Sequence, residues 1–215
     1  MGSDHYFSAQ PSTPFTRRSV RVMLGGTEHA VNTAGGIFSP DGIDKGTAVL
    51  LSGVPAPAAE GHLLDIGCGW GPIALSMALA SPSATVHAVD VNQRSLELTR
   101  ENAQALSLDN VVATAPEAVD DDLRFQTIWS NPPIRVGKEI LHGILLHWLP
   151  RLAVGGTAWL VVQKNLGSDS LQQWLVRELP TGFIVDRYSS AKTFRILRVR
   201  NTTDASGVGT TPSKD

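Results

Sequence analysis

Leu63-Leu64-Asp65-Ile66-Gly67-Cys68-Gly69-Trp70-Gly71 is an apolar strand pattern that runs directly into three alternate glycines. Residues 72–80 begin with Pro72 and are mostly apolar, so the glycines stand where a strand turns into a helix. Glycine lets the backbone take positive φ there and approach a ligand that a Cβ would hold off. A dinucleotide loop of the form Gly-x-Gly-x-x-Gly needs its third glycine at position 72, where this chain has Pro72, and pyrophosphate is therefore disfavoured. Asp65 in the strand end points the same way, because a carboxylate repels phosphate and suits a cationic ligand.

Outward from this loop, short β-branched runs alternate with longer helical patterns. The spacing predicts strands over 62–66, 85–90, 111–114, 125–130 and 157–162. It predicts helices over 72–80, 93–106, 138–152 and 170–179, with Asn92 as an N-cap and Ile140, Leu141, Ile144, Leu145 and Trp148 as one apolar stripe. Such alternation builds βαβ units, hence an α/β fold with a mostly parallel sheet and helices on both faces. Two further strands, 183–188 and 193–199, joined by Ser189-Ser190-Ala191-Lys192, predict a closing hairpin and an antiparallel edge. Residues 1–58, with Pro11, Pro14, Pro40, Pro55 and Pro57 and one short apolar stretch at 20–24, read as an irregular N-terminal extension packing on a domain of 59–200. Residues 201–215, rich in Thr, Ser, Gly and Asp, read as a disordered tail.

Composition fits this plan. The chain has 215 residues, 42% of them hydrophobic and 18% charged, which suits one globular core and excludes fibrous or disordered classes. The net charge of −2 means that any polyanion must be met by a local basic patch. Cys68 is the single cysteine, so a disulfide framework and a multi-cysteine zinc site are excluded. The six histidines lack ligand spacing, His142 and His147 falling five apart on one helix, and no metal is predicted. Nothing beside Cys68 in sequence would activate its thiol, so it reads as a small loop residue and not a nucleophile. With no long apolar run and no leader pattern, the cytoplasm is the expected location.

Two acidic and amide positions carry the chemistry. Asp90 ends the second predicted strand, where a carboxylate can accept from both hydroxyls of a ribose, as an adenosine-type cofactor requires. Asn131-Pro132-Pro133-Ile134 follows the strand at 125–130, at the carboxyl edge where open α/β sheets bind ligands. Neither proline has an N–H, so the corner offers acceptors and few donors. Asn131 Oδ1 and the Pro132 carbonyl could each accept one N–H of an sp² amine and turn its lone pair toward an electrophile.

The glycine loop with Asp65, the distant Asp90 and Asn-Pro-Pro together resemble class I S-adenosylmethionine-dependent methyltransferases that modify planar amino groups. Gly35-Gly36-Ile37-Phe38-Ser39, Asp44-Lys45-Gly46-Thr47, Asn131 through Lys138, and Trp159-Leu160-Val161-Val162-Gln163-Lys164 extend the likeness to the "methyltransferase small" family over about residues 5–200. The best-known bacterial members of that family are ribosomal RNA guanine-N2 methyltransferases. The resemblance implies a Rossmann-like seven-stranded sheet whose last strand is antiparallel. It implies S-adenosyl-L-methionine held by Gly67, Cys68, Gly69, Gly71 and Asp90 with Asp65 nearby, and an acceptor nitrogen oriented by Asn131 and Pro132. Phe38, Lys45 and Thr47, counted with the cofactor site, resemble parts of a loop closing over the cofactor or substrate. Pro133, Ile134, Arg135 and Lys138 would border the substrate, a guanine of 16S-type RNA being the expected acceptor.

The chain departs from the pattern at two points. Ile134 stands where many amino methyltransferases place an aromatic to stack on the target base. Thr114-Ala115-Pro116-Glu117 lacks the Asp or Asn that often meets the adenine, so that contact is either lost or made by backbone. For RNA phosphates, Arg17, Arg18 and Arg21, the pair Arg135 and Lys138, and Arg187, Lys192, Arg195, Arg198 and Arg200 are the candidate local patches. An adenine amine, a protein glutamine amide, or a non-catalytic RNA-binding role on the same fold are the competing expectations.

Overall fold

A computed structural model describes residues 15–203. The expected tail therefore lies outside the described residues from 204 onward, whereas Asn201 to Thr203 are ordered: Asn201 closes the last strand, and Thr202 donates its N–H to the Gly182 carbonyl at 2.7 Å. The elements are β1 (Arg17–Leu24), β2 (Thr27–Ala34), α1 (Lys45–Gly53), β3 (Glu60–Ile66), α2 (Pro72–Ala80), β4 (Ser83–Val89), α3 (Gln93–Ala105), β5 (Val111–Thr114), β6 (Phe125–Ser130), α4 (Lys138–Trp148), β7 (Leu152–Gln163), α5 (Ser168–Glu178), β8 (Phe183–Ala191) and β9 (Phe194–Asn201).

β3 to β9 form one seven-stranded sheet in the order β5-β4-β3-β6-β7-β9-β8. All pairings are parallel except those of β9, which runs antiparallel to both β7 and β8, so the last strand in sequence is inserted and β8 forms the edge. The closing hairpin is tighter than its sequence suggests, turning at Lys192-Thr193 with Lys192 at φ 49°. From β3 the chain moves outward through β4 and β5, then returns to place β6 on the other side of β3. That reversal is a topological switch point, and the loops after β3 and β6 diverge there to leave a crevice.

The sheet is buried on both faces. Leu64, Ile66 and Ile128 enter a cluster with Leu141, Leu145 and Trp148 of α4 and Leu171 and Leu175 of α5. On the opposite face Leu63, Trp129, Val161 and Ile196 pack with Leu50 of α1 and Ile73, Ala74 and Met77 of α2. Each such side chain contributes about 1.5–3 kcal/mol on removal from water. Ile140, at the margin of the predicted α4 stripe, faces solvent.

Residues 15–58 depart most from the expected irregular extension. β1 and β2 pair as a regular antiparallel hairpin whose turn, Gly25-Gly26, has φ of 58° and 83°, the positive pair a two-residue turn of this hand needs. Alternation buries Val22, Leu24, Val31 and Ala34 against Trp70, Leu75, Leu98 and Ala103. Buried Asn102 on α3 pins the hairpin: its Oδ1 accepts the Asn32 N–H at 2.7 Å, and its Nδ2 donates to the Asn32 and Trp70 carbonyls. None of the described helices is long and apolar enough to cross a membrane.

Candidate active site

The loop after β3 is held open by its neighbours. The Gly67 and Cys68 N–H groups donate to the Val89 carbonyl at 2.8 and 3.0 Å, and the Gly69 N–H donates to Asp90 Oδ2 at 3.0 Å. Gly67 and Gly69 have φ of 77° and 57°, and a Cβ on either would meet nothing within 4 Å, so their outer faces look into free space. Gly71 is different: at φ 98° it caps α2, and a Cβ would press on the Thr99 side chain at 3.1 Å. Its glycine serves packing and not the crevice.

Asp65 is fully buried beneath the loop. Its Oδ2 accepts the Ala74 N–H in the first turn of α2 at 3.0 Å, while Oδ1 has no partner. Burial pushes its carboxyl well above the usual carboxylate range, and the nearby Asp90 adds to the shift. Asp90 is raised by burial too, although both of its oxygens accept backbone N–H groups, from Gly69 and from Asn92. Asp90 is therefore first a brace of the loop, and the Ser95 hydroxyl and Val91 N–H also reach its carboxylate. Burial also lifts the Cys68 thiol well above its usual value, and its Sγ lies 3.5 Å from Thr99 Oγ1, so the thiol is inert.

Opposite the glycine loop stands the segment between β2 and α1. Trp70 Nε1 donates to the Ser39 carbonyl at 3.2 Å, and Asn92 Nδ2 donates to the Gly36 carbonyl at 2.9 Å. These bonds make residues 36–44 a wall of the crevice. Phe38, Ser39, Asp44 and Thr47 line it with Gly67, Gly69 and Asn131, whereas Lys45 is exposed and outside it.

Asn131, the first residue after β6, is fixed by this wall. Its Nδ2 donates to Asp44 Oδ2 at 2.9 Å and to Thr47 Oγ1 at 3.2 Å. Because a carboxylate only accepts, the amide is oriented with its NH2 toward Asp44, and Oδ1, which has no partner among the described residues, is left to the crevice. Asp44 is itself tied down as the cap of α1, accepting from Gly46 N, Thr47 N and Thr47 Oγ1 at 2.6, 3.3 and 2.7 Å. In the sequence Asp44 stands out only as part of the stretch Asp44-Lys45-Gly46-Thr47; the helix it caps and its hold on Asn131 are findings of the structure.

Pro132 is buried, and its carbonyl already accepts the Ile134 N–H at 2.8 Å across Pro133, whose φ of −75° and ψ of 74° form an inverse γ-turn. One lone pair of that carbonyl remains. The same turn sends Ile134 onto the core cluster under α4, away from any base-stacking position.

The proposed arginine patches are mostly neutralised. Arg17 pairs with Glu97 and Glu101, Arg18 with Asp41 and Arg21 with Glu28. Arg187 and Arg195 pair with Asp169, and Arg198 and Arg200 with Asp186. Arg135 and Lys138, exposed just beyond Asn131, make no ion pair among the described residues, nor do Lys164 and Lys192. No group of three potential metal ligands occurs among the described residues.

Residues 28–196 match the family described as Methyltransferase small domain. The chain belongs to that family. Its members use S-adenosyl-L-methionine, and the fold is the Rossmann-like one of that class. A relative in Bacillus subtilis, the uncharacterized protein YbxB, is 36% identical over 171 residues, covering 78% of this chain and 85% of the relative. The ribosomal RNA small subunit methyltransferase C of Aeromonas hydrophila is 34% identical over 138 residues, covering 62% of this chain but 40% of its own length. This member of the family thus spans well under half of that larger enzyme. Among solved structures, the T. thermophilus 16S rRNA N2 methyltransferase RsmC, in complex with AdoMet and guanosine, superposes with a TM-score of 0.71. That match covers 90% of this chain and 52% of the other at 24% identity, a likeness of fold.

Proposed function

We propose that this chain transfers a methyl group from S-adenosylmethionine to the exocyclic N2 amine of a guanine in small-subunit ribosomal RNA, in the cytoplasm. The observation that carries the reading is the orientation of Asn131, whose NH2 is taken by Asp44 and Thr47 so that Oδ1 is offered to a donor. The names of the relatives support RNA as the acceptor class.

The residues present fit the cofactor. Gly67 and Gly69 leave free space before the loop, and Asp65 keeps a buried, unpartnered oxygen. Two desolvated carboxylates with raised pKa values call for a positive charge, which a sulfonium and an α-ammonium both bring. Asp65, Gly67, Cys68, Gly69 and Asp90 would hold the cofactor from below, with Phe38 and Thr47 on the facing wall. When bound, S-adenosylmethionine supplies an electrophilic methyl group on a sulfonium.

The chain's own contribution is positioning. Asn131 Oδ1 and the free lone pair of the Pro132 carbonyl accept the two amine N–H groups, which turns the nitrogen lone pair out of conjugation with the ring. Arg135 and Lys138 take flanking phosphates.

The test is transfer of labelled methyl to small ribosomal subunits, naked ribosomal RNA and a protein extract. Label in guanine N2 is expected, with Asn131→Ala lowering kcat at least about 100-fold while S-adenosylmethionine still binds. Label confined to protein, or an Asn131→Ala rate equal to that of the natural chain, would overturn the reading.

A further inference from the structure

Ile134 leaves the acceptor corner without the aromatic surface that a flipped base needs, and the far side of α1 supplies one. Phe194 opens β9 directly opposite Gln163, the last residue of β7. Residues paired in antiparallel register share a face. Trp159 and Val161, four and two before Gln163, and Ile196, two after Phe194, all pack in the cluster around Leu50 of α1. Phe194 and Gln163 therefore project on the side of the sheet that carries Asn131 and α1.

Gly46 brings the two groups together. A methyl group built on it would lie 3.1 Å from Phe194 Cε1 and 3.2 Å from Asn131 Nδ2, so the ring and the amide flank the same glycine. The ring is half-buried, seated partly on the α1 cluster with the remainder in solvent. Gln163 is half-buried as well, and its side-chain amide makes no hydrogen bond among the described residues. Beyond them Lys164 Nζ donates to the Lys192 carbonyl at 2.7 Å, which places two lysines without ion-pair partners at the same corner.

We infer that Phe194 is the surface on which the acceptor base stacks and that the Gln163 amide reads its Watson–Crick edge. The inference rests on the methyl-transfer reading above. A guanine whose N2 amine is held at Asn131 presents N1–H, a donor, and O6, an acceptor, along the adjoining edge. A primary amide matches both with one oxygen and one NH2. An adenine held by its N6 amine offers only the N1 acceptor there, so the same amide would be left half-paired, and a half-paired polar group discriminates strongly. The two lysines meet the backbone of the strand that delivers the base.

The experiment measures steady-state methyl transfer to naked 16S ribosomal RNA by the full chain and three variants, with S-adenosylmethionine affinity and thermal unfolding measured beside it. Phe194→Leu keeps the apolar packing and loses the ring, so KM for RNA is expected to rise about tenfold, with cofactor affinity unchanged. Phe194→Tyr keeps the ring and is expected to restore the natural KM. Gln163→Leu is expected to lower kcat/KM for guanine at least about tenfold. If the natural chain methylates RNA and Phe194→Leu matches it, or Leu and Tyr fail alike, the stacking assignment is wrong and the methyltransferase reading stands. An unchanged Gln163→Leu overturns the edge reading in the same way. If the natural chain methylates no RNA, both fall together.

Discussion

Replacing Asp44 with serine separates two roles that the carboxylate combines. As a helix cap, serine is about as good as aspartate, so α1 keeps a side-chain acceptor for the Gly46 and Thr47 N–H groups, and the stability change is expected to stay within about 1 kcal/mol, including the lost charge at the helix start. As the partner of Asn131, serine fails, because its hydroxyl is too short to replace the carboxylate oxygen at 2.9 Å from Nδ2. A hydrogen bond to a charged group is worth about 1.5–3 kcal/mol, and Thr47 Oγ1 at 3.2 Å retains only the weaker neutral bond. If that energy is what holds Oδ1 toward the acceptor, kcat falls by about tenfold to about 100-fold. The assay is single-turnover methyl transfer at saturating RNA and cofactor, with thermal unfolding and cofactor titration on the same preparation. A Asp44→Ser rate within about twofold of the natural chain would refute the orientation argument, and a loss matched by weaker cofactor binding would reassign Asp44 to the cofactor.

Gly46→Ala should gain helix propensity and still lose rate: the new Cβ would stand 3.1 Å from Asp44 Oδ1 and 3.2 Å from Asn131 Nδ2, so a several-fold lower kcat with little change in Tm is expected, and an unchanged kcat would show that the wall yields freely. The Asn131→Ala comparison above is the companion measurement, since it removes the acceptor that Asp44 and Gly46 only position. Burial, helped by the charges of His62 and Arg151, lowers the His87 imidazole to about 4, so between pH 4 and the ordinary value of 6.5 the unfolded chain binds the extra proton. The corresponding stability is fully present above about pH 6.5 and is lost on acidification toward pH 4, by about 1–2 kcal/mol once the ring's partial exposure is allowed for. Urea midpoints at pH 7 and pH 4.5 should therefore differ more for the natural chain than for His87→Gln, and equal differences would discount this imidazole.

The parallel half of the sheet was open to inspection because its strands are buried on both faces and its helices on one, so period and turn residues suffice: 72–80, 111–114 and 125–130 fold with those bounds. The hairpin of β1 and β2 carried its own signals in the alternation Val20, Val22, Leu24 and in Gly25-Gly26, but the arginines between the apolar positions and the prolines around them resemble a loop as much as an edge ribbon. Charge was misleading for a related reason. Arg17 and Glu101 are 84 residues apart, and no local pattern shows that such an arginine is neutralised while Arg135 is left free.

For the candidate site, the sequence offers residue types and places but not their relations. Asn131, Asp65, Asp90 and the glycines announce themselves by place and type, yet the orientation of Asn131 depends on Asp44, 87 residues earlier, and the base surface depends on a strand that arrives last. Register is what converts one into the other. A slip of β9 by one residue against β7 would turn Phe194 to the α5 face, bring Arg195 toward α1 and leave Gln163 without its cross-strand neighbour. Arg195 opposes such a slip: it is buried on the α5 face, bonded to Ser168 Oγ at 3.1 Å and paired with Asp169 at the start of that helix. Moving it to the other face would strip a buried guanidinium of both partners, a cost of several kcal/mol. The pair Arg195–Asp169 thus protects the placement of Phe194 from the opposite side of the sheet, without touching the crevice at all.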